Sequence, residues 1–278
     1  MPLVSAGEIV GAAAARGRGC GAFNAIQLEH ITAIIDGAAA AGAPVIVQLS
    51  QNAVRYHGAL APVGGAALAA ARSADVPVAV HLDHAESRDL VEEAVALGVG
   101  SVMFDASKMD YAANVRATRE VVAYCHDHGV WVEAELGEVG GKDGVHAPGA
   151  RTDPDEAAKF VAATGVDALA VAVGSSHAML SRDAALDFGL IARLHERVPV
   201  PLVLHGSSGV PDDGLAAAVR AGMTKINIAT QLNKVFTAAA AGDWRAHPDR
   251  VDPRKYLGAG RDAVAAEVRR LLDVLGAS

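Results

Sequence analysis

Three histidines, His84, His177 and His205, each close a short apolar run, and a carboxylate, Asp83, stands immediately before the first of them. Neutral imidazoles are the commonest protein ligands for transition metals, and three of them with one coordination position left open form a common catalytic zinc set. A carboxylate beside such an ion is placed to accept or donate a proton at a substrate oxygen. Any one of these histidines reads equally well as a hydrogen-bonded structural residue. Their recurrence at the same end of three separate runs points to a shared metal. His81, in the same HLDH segment, is expected to point into the interior or to orient a ligand from behind. Asp105 and Glu135 close two further runs, as a weaker divalent-cation site or as hydrogen-bond partners of the ligating histidines.

Three segments close the late runs, the first two rich in glycine: GSS around Gly174, HGSSG from His205 to Gly209, and NIAT, which leads into a helix from Gln231. Backbone N–H groups at strand-to-helix turns bind anions, and in α/β barrels phosphate sites often follow the last two strands. HGSSG resembles a nucleophile elbow only superficially, since His205 stands where that motif needs glycine. A glycine-rich stretch at 137–150 carries Lys142, Asp143 and His146 and has the make-up of a mobile lid that brings in a catalytic group. A metal, an acid and an anion cradle together suit chemistry in which a cation polarises a ketone and stabilises an enediolate while carboxylates move protons. The other route to such a carbanion is a lysine Schiff base, but Lys225, the only lysine on a strand-like run, lies near that run's start, away from the proposed mouth.

These residues need a scaffold that gathers run ends. Eight β-branched, near-continuously apolar runs begin at Gly21, Ala43, Pro77, Ser101, Val130, Ala168, Pro201 and Thr224. Unbroken apolar character is expected of strands buried on both faces of a parallel sheet. Helical segments lie between them, such as 87–98, with Ser87 to cap it and Gly98 to end it, and 152–165, started by Thr152 or Asp153 and ended by Gly165. Eightfold alternation without a compositional break predicts a single-domain (β/α)8 TIM barrel over residues 1–278, with a doubly wound open sheet as the alternative. In such a barrel catalytic groups sit at the C-terminal strand ends, where Gln48, Ser50, Asp83, His84, Asp105, Glu133, Glu135, His177, His205, Asn227 and Thr230 are all expected to fall.

A hydrophobic content of 51% against 20% charged residues suits one large core, and with only 4% aromatics that core must be built from small and β-branched side chains. The net charge of -8 argues against a nucleic-acid or anionic-membrane partner, so any anion must be held by a local site. No apolar run is long enough for a signal peptide or a membrane span, and the two cysteines, Cys20 and Cys125, fit a reducing, cytoplasmic setting.

The segments HLDH, VEAELG, SSH, LVLHGSSG, KINIAT and DPRKYLGAGRDAV, in order over nearly the whole chain, resemble the motif series of the class II ketose-bisphosphate aldolases. The resemblance implies reversible, zinc-dependent cleavage of a fructose- or tagatose-type ketose 1,6-bisphosphate into dihydroxyacetone phosphate and glyceraldehyde 3-phosphate. Asp83 would then exchange the proton of the cleaved hydroxyl, His84, His177 and His205 would hold the zinc, and Asp105 and Glu135 would match a second divalent position. Ser50 would contact the phosphate at the aldehyde end. Gly206, Ser207 and Ser208, with Asn227, Ile228, Ala229 and Thr230, would bind the dihydroxyacetone phosphate half. Arg254 would reach a neighbouring subunit's phosphate, which implies a homodimer or homotetramer.

The chain departs from the family's pattern at several points. Ala178 and Leu180 stand where glycine and an aromatic are usual, putting a methyl group beside the backbone that would hold phosphate or a monovalent cation. The lid reads GGKDG, leaving Asp143 in place of the usual glutamate as the lid's proton acceptor. Ala229 leans toward the tagatose type, whereas the surroundings of Ser50 resemble the fructose type. The alternatives are an aldolase for another phosphorylated or acidic ketose, a metal-dependent hydrolase on the same barrel, and a non-catalytic sugar-phosphate binder. The hydrolase reading lacks the HxH pair expected after the first run.

Overall fold

A computed structural model describes residues 2–136, 151–177 and 179–277. Eight parallel strands close on themselves in sequence order: β1 (Cys20–Asn24), β2 (Val45–Ser50), β3 (Val78–Ala85), β4 (Ser101–Phe104), β5 (Trp131–Leu136), β6 (Ala168–Val171), β7 (Leu202–Leu204) and β8 (Met223–Ile228), with β8 pairing back onto β1. The helices are α1 (Ala6–Ala15), α2 (Leu28–Ala41), α3 (Gln51–His57), α4 (Leu60–Arg72), α5 (Arg88–Leu97), α6 (Tyr111–Asp127), α7 (Pro154–Thr164), α8 (Phe188–Arg197), α9 (Asp212–Ala221), α10 (Thr230–Ala246) and α11 (Pro253–Val274). This is the (β/α)8 barrel that the alternation predicts.

The helix boundaries follow their caps. Ser87 accepts from the Leu90 N–H at the start of α5 and Gly98 ends it in the left-handed region; Asp153 accepts from Asp155 and Glu156 ahead of Pro154 in α7, which Gly165 closes. Each side-chain cap contributes about 1 kcal/mol. Gly37 of α2 has a role in packing, because a β-carbon there would stand 2.5 Å from the Ala265 carbonyl oxygen of α11. The missing side chain lets the C-terminal helix α11 close directly over α2.

Strand parity then sorts the side chains. Val45, Val47 and Leu49 of β2, Val78, Val80 and Leu82 of β3, Val132 and Ala134 of β5, and Ile226 and Ile228 of β8 join the large apolar layer between sheet and helices. Their alternates face the barrel axis. At the N-terminal end these are Cys20, Ala22, Ile46 and Ala79, sealed by Ala6, Ile9 and Val10 of α1. Further along the axis the inward positions turn polar, with Gln48, His81, Glu133 and Lys225 all fully buried. The chemistry therefore sits on a closed, buried floor.

Candidate active site

The C-terminal mouth of the barrel is a cavity whose lining includes Asn24, Ser50, Asp83, His84, Asp105, His177, Gly206, Ser208, Asn227, Ala229 and Thr230. His84, His177 and His205 converge there: their ring centroids are 4.7 to 5.5 Å apart and every pair is edge-on. Glu135 completes the group, and one ligand atom from each of the four lies within 4.8 Å of the others.

Parity alone would not bring His84 in. Inward positions of β3 are Ala79, His81 and Asp83, so the next residue should face the helices. Instead the β3–β4 register shifts between Leu82 and Ala85, and His84 has φ of 52°, the one positive value among the described non-glycine residues. A bulge with a left-handed residue re-aims a side chain. Asp83 and His84 thus serve the same cavity from adjacent positions.

The hydrogen bonds assign the ring nitrogens. His84 Nδ1 lies 2.7 Å from Asp105 Oδ2, which leaves Nε2 facing the centre. Asp105 spends its other oxygen on Ser107, accepting from both its N–H and its hydroxyl. Asp105 therefore stands behind His84 and orients it, whereas Glu135 stands with the histidines. The two residues that the resemblance groups as a second divalent position are separated in this way. His205 Nε2 is 2.9 Å from Glu133 Oε1. Burial pushes the Glu133 pKa up, but Lys225 and His205 outweigh it and bring it down to about 2, so this carboxylate is ionised and the ring nitrogen donates. His205 Nδ1 is left buried without a hydrogen-bond partner, 3.5 Å from Glu135 Oε2. A buried imidazole lone pair facing a carboxylate and two other imidazoles fits a metal ion, since a cation satisfies all four groups at once.

Asp83 is placed as a base. Asn24 Nδ2 donates to its Oδ2 at 2.8 Å, while Oδ1 has no hydrogen-bond partner and lies 3.9 Å from His84 Nε2. Burial acts to raise its pKa, but His84, His205, Lys225 and His81 more than offset that and hold it well below the usual carboxylate range. It is ionised at neutral pH. His81 is fully buried beneath the site with its Nδ1 on Ser101, and desolvation lowers its pKa to about 3. It does not reach the cavity lining.

Across the cavity, Gly206 adopts φ of 66° and begins a short turn, Ser207–Gly209. The Ser208 hydroxyl oxygen accepts from the N–H groups of Ala229 and Gln231, pinning that turn to the first residues of α10. The N-terminus of α10 and the Gly206 backbone thus face the opening, a concave region of N–H groups and positive helix dipole suited to phosphate. Two predicted contacts are not brought there. Ser207 is buried with its hydroxyl on the Leu204 carbonyl, and Ile228, on an outward-facing position of β8, belongs to the apolar layer. Ser50 lines the cavity and caps α3 by accepting from the Ala53 N–H. Arg254 is 87% exposed on its side chain and pairs with Asp252, away from the cavity of its own chain. Asp143, Lys142, His146 and Ala178 lie outside the described residues.

Sequence reasoning missed Asn24, which ends β1 and which the strand-end rule would have found. It also missed the rim, where Arg55 and Lys108 share the Glu86 carboxylate at 3.2 and 3.0 Å and all three line the cavity. Charged residues one turn past a strand end carry no distinctive pattern. Lys225, placed by sequence away from the mouth, sends its ammonium up among Gln48, Asn227 and Glu133 just under the site.

Comparison with known proteins gives the same picture over the full length. The chain is similar to the YdjI aldolase of Escherichia coli K12, with 32% identity, a TM-score of 0.87, and 99% of this chain and 98% of the other covered. It is similar to a Coccidioides immitis protein provisionally named a fructose-1,6-bisphosphate aldolase, with 30% identity, a TM-score of 0.88 and coverage of 98% and 96%. The fold is also that of the fructose-bisphosphate aldolase of Campylobacter jejuni, at 22% identity, a TM-score of 0.83 and coverage of 99% and 96%. The profile of the class II fructose-bisphosphate aldolases matches residues 4–278, which takes in every strand end described above, and the chain accordingly belongs to that family of carbon–carbon lyases.

Proposed function

We propose that the chain, as one barrel domain, is a zinc-dependent aldolase that reversibly cleaves a fructose- or tagatose-type ketose 1,6-bisphosphate into dihydroxyacetone phosphate and glyceraldehyde 3-phosphate. The observation that carries this reading is the Asp83 carboxylate beside the His84, His177, His205 and Glu135 cluster, opposite the Ser208-pinned N-terminus of α10. Three imidazoles and a carboxylate suit zinc, which supplies positive charge where a ketone oxygen becomes negative. The protein's own groups do the rest. Ser208, the Gly206 backbone and the first N–H groups of α10 hold the phosphate of the dihydroxyacetone half, and Asn227 orients its hydroxyls. Asp83 takes the proton of the C4 hydroxyl as the C3–C4 bond breaks, and in the synthetic direction returns it. Asp143 is proposed to exchange the proton at C3.

Ser50 is assigned to the distal phosphate, with Arg254 supplied by a neighbouring copy in a homodimer or homotetramer. The two cysteines are both free and buried, in keeping with a cytoplasmic enzyme. Among the described residues no helix is long and apolar enough to cross a membrane.

The rim favours a second reading within the class, an aldolase for another phosphorylated or acidic ketose. Arg55, Lys108 and Glu86 put charged groups on the cavity lining there, where the acidic end of such a ketose would be read. The test is coupled cleavage of fructose 1,6-bisphosphate and tagatose 1,6-bisphosphate by protein as purified, after chelation, and after zinc is restored. Cleavage that disappears with the chelator and returns with zinc is expected. Failure of zinc-loaded protein on both sugars would move the assignment to the second reading.

A further inference from the structure

Lys225 is fully buried at the barrel axis and is not among the residues that line the cavity. Its ammonium has three neighbours: Gln48 Oε1 at 2.6 Å, Asn227 Oδ1 at 2.9 Å and Glu133 Oε2 at 2.8 Å. An ammonium is a donor only, so each amide beside it must turn its oxygen inward and its NH2 group away. The consequences run along three arms. Gln48 Nε2 donates to Asn24 Oδ1 at 3.0 Å, which turns Asn24 Nδ2 toward Asp83 Oδ2 at 2.8 Å. Asn227 Nδ2 is buried without a partner on a residue that lines the cavity, so its donor is free for a substrate oxygen. Glu133, held through Oε2, offers Oε1 to His205 Nε2 and keeps Nδ1 for the metal centre.

We propose that Lys225 is a positioning residue that sets the donor–acceptor polarity of the whole site: one buried ammonium fixes which face Asp83, Asn227 and His205 each present to the reaction. Without it both amides can flip. A flipped Gln48 would offer an oxygen to the Asn24 oxygen and release Asp83, and a flipped Asn227 would face the substrate with an acceptor.

This inference rests on the aldolase reading for its kinetic consequences but not for its metal arm, and the variants separate the arms. Gln48→Leu cuts the base arm without unpairing a charge; kcat is expected to fall about tenfold with zinc affinity unchanged. Glu133→Gln cuts the metal arm; zinc affinity, measured by competition with a chromophoric chelator, is expected to weaken about tenfold. Lys225→Met/Glu133→Gln removes both buried charges together and should combine the losses, with a raised KM from Asn227. Each is measured per folded, zinc-loaded molecule, so that simple loosening of the barrel would lower Tm and leave these constants where they were. Gln48→Leu and Glu133→Gln still test the two arms that Lys225 is proposed to set where the double variant does not fold. Values of kcat, KM and zinc affinity within twofold of wild type in folded variants would overturn the proposal. A wild type that cleaves neither sugar bisphosphate would instead sink the aldolase reading, while the zinc-affinity comparison would still judge the metal arm.

Discussion

Asp83 and His84 are adjacent in sequence yet must do different things in one cavity, and the backbone at His84 makes that possible. A strand would send one of the pair outward; the left-handed φ and the register shift turn both inward, at a backbone cost on the order of 1–3 kcal/mol. That division of labour has separable consequences. Asp83→Asn keeps the shape and an acceptor for Asn24 but removes the base, so kcat for cleavage is expected to fall about 10²- to 10⁴-fold with metal still stoichiometric. Steady-state kinetics beside metal analysis checks this, and full activity would remove Asp83 from the mechanism. His205→Ala takes away a ligand and leaves Glu133 Oε1 without its partner, so metal and activity should go together; retention of stoichiometric metal would count against the cluster. The identities of these residues were legible as polar groups at run ends. The turn at His84 was not, because a bulge depends on pairing between strands and leaves no local pattern. Nor was the separation of Asp105 from Glu135, which depends on which ring nitrogen each one meets.

At the scale of elements, two turns and one helix end make the anion cradle, and Gly206 is where they meet. A β-carbon there would stand 2.5 Å from the Ser176 carbonyl oxygen, in the loop that leads to His177, and φ is already 66°. Gly206→Ala is therefore expected to cost about 1–3 kcal/mol and to weaken binding of dihydroxyacetone phosphate; urea denaturation and calorimetry measure the two effects. The helix behind the cradle is tied by a charged cluster: Arg182 to Asp212, Arg270 to both Asp212 and Glu267, and Gln231 to Glu267. Burial raises the pKa of both carboxyls, and hydrogen bonds from Arg270, with Arg182 for Asp212 and Gln231 for Glu267, bring them below their ordinary values. Depressed carboxyl pKa values stabilise the fold fully above the unfolded pKa near 4 and lose that contribution as pH falls through the folded values. Arg270→Met should accordingly cost about 1 kcal/mol at pH 7, a modest figure because the pair is partly exposed. The gap from wild type should narrow below about pH 4. A gap constant with pH would show that Arg270 acts by packing alone. Helices α5 and α7 were legible because Ser87, Gly98, Asp153 and Gly165 are caps with a local mechanism. This cluster spans 58 residues between Asp212 and Arg270 and was not.

At the scale of the molecule, the barrel could be read from eight apolar runs because burial on both faces of a strand leaves a compositional trace, whereas an interface with another copy leaves little. The end of α10 and the segment after it nevertheless expose Trp244 at 56% and Val251 at 94%, next to Arg254 at the start of α11. Among the described residues the Arg254 guanidinium is hydrogen-bonded to Asp252 and is not part of the cavity lining, so its assignment to a phosphate requires a second copy whose mouth it can reach. That requirement can be tested by complementation. Arg254→Ala and Asp83→Asn are each expected to be nearly inactive alone. In a mixed dimer, one site joins an intact Asp83 to an intact Arg254 from the other chain, so a 1:1 mixture refolded together should recover about a quarter of wild-type activity if dimers form at random. Sedimentation of each variant establishes that assembly itself has survived. An Arg254 that served its own chain's cavity would leave both sites of every mixed dimer broken, and the mixture would be as inactive as its parts.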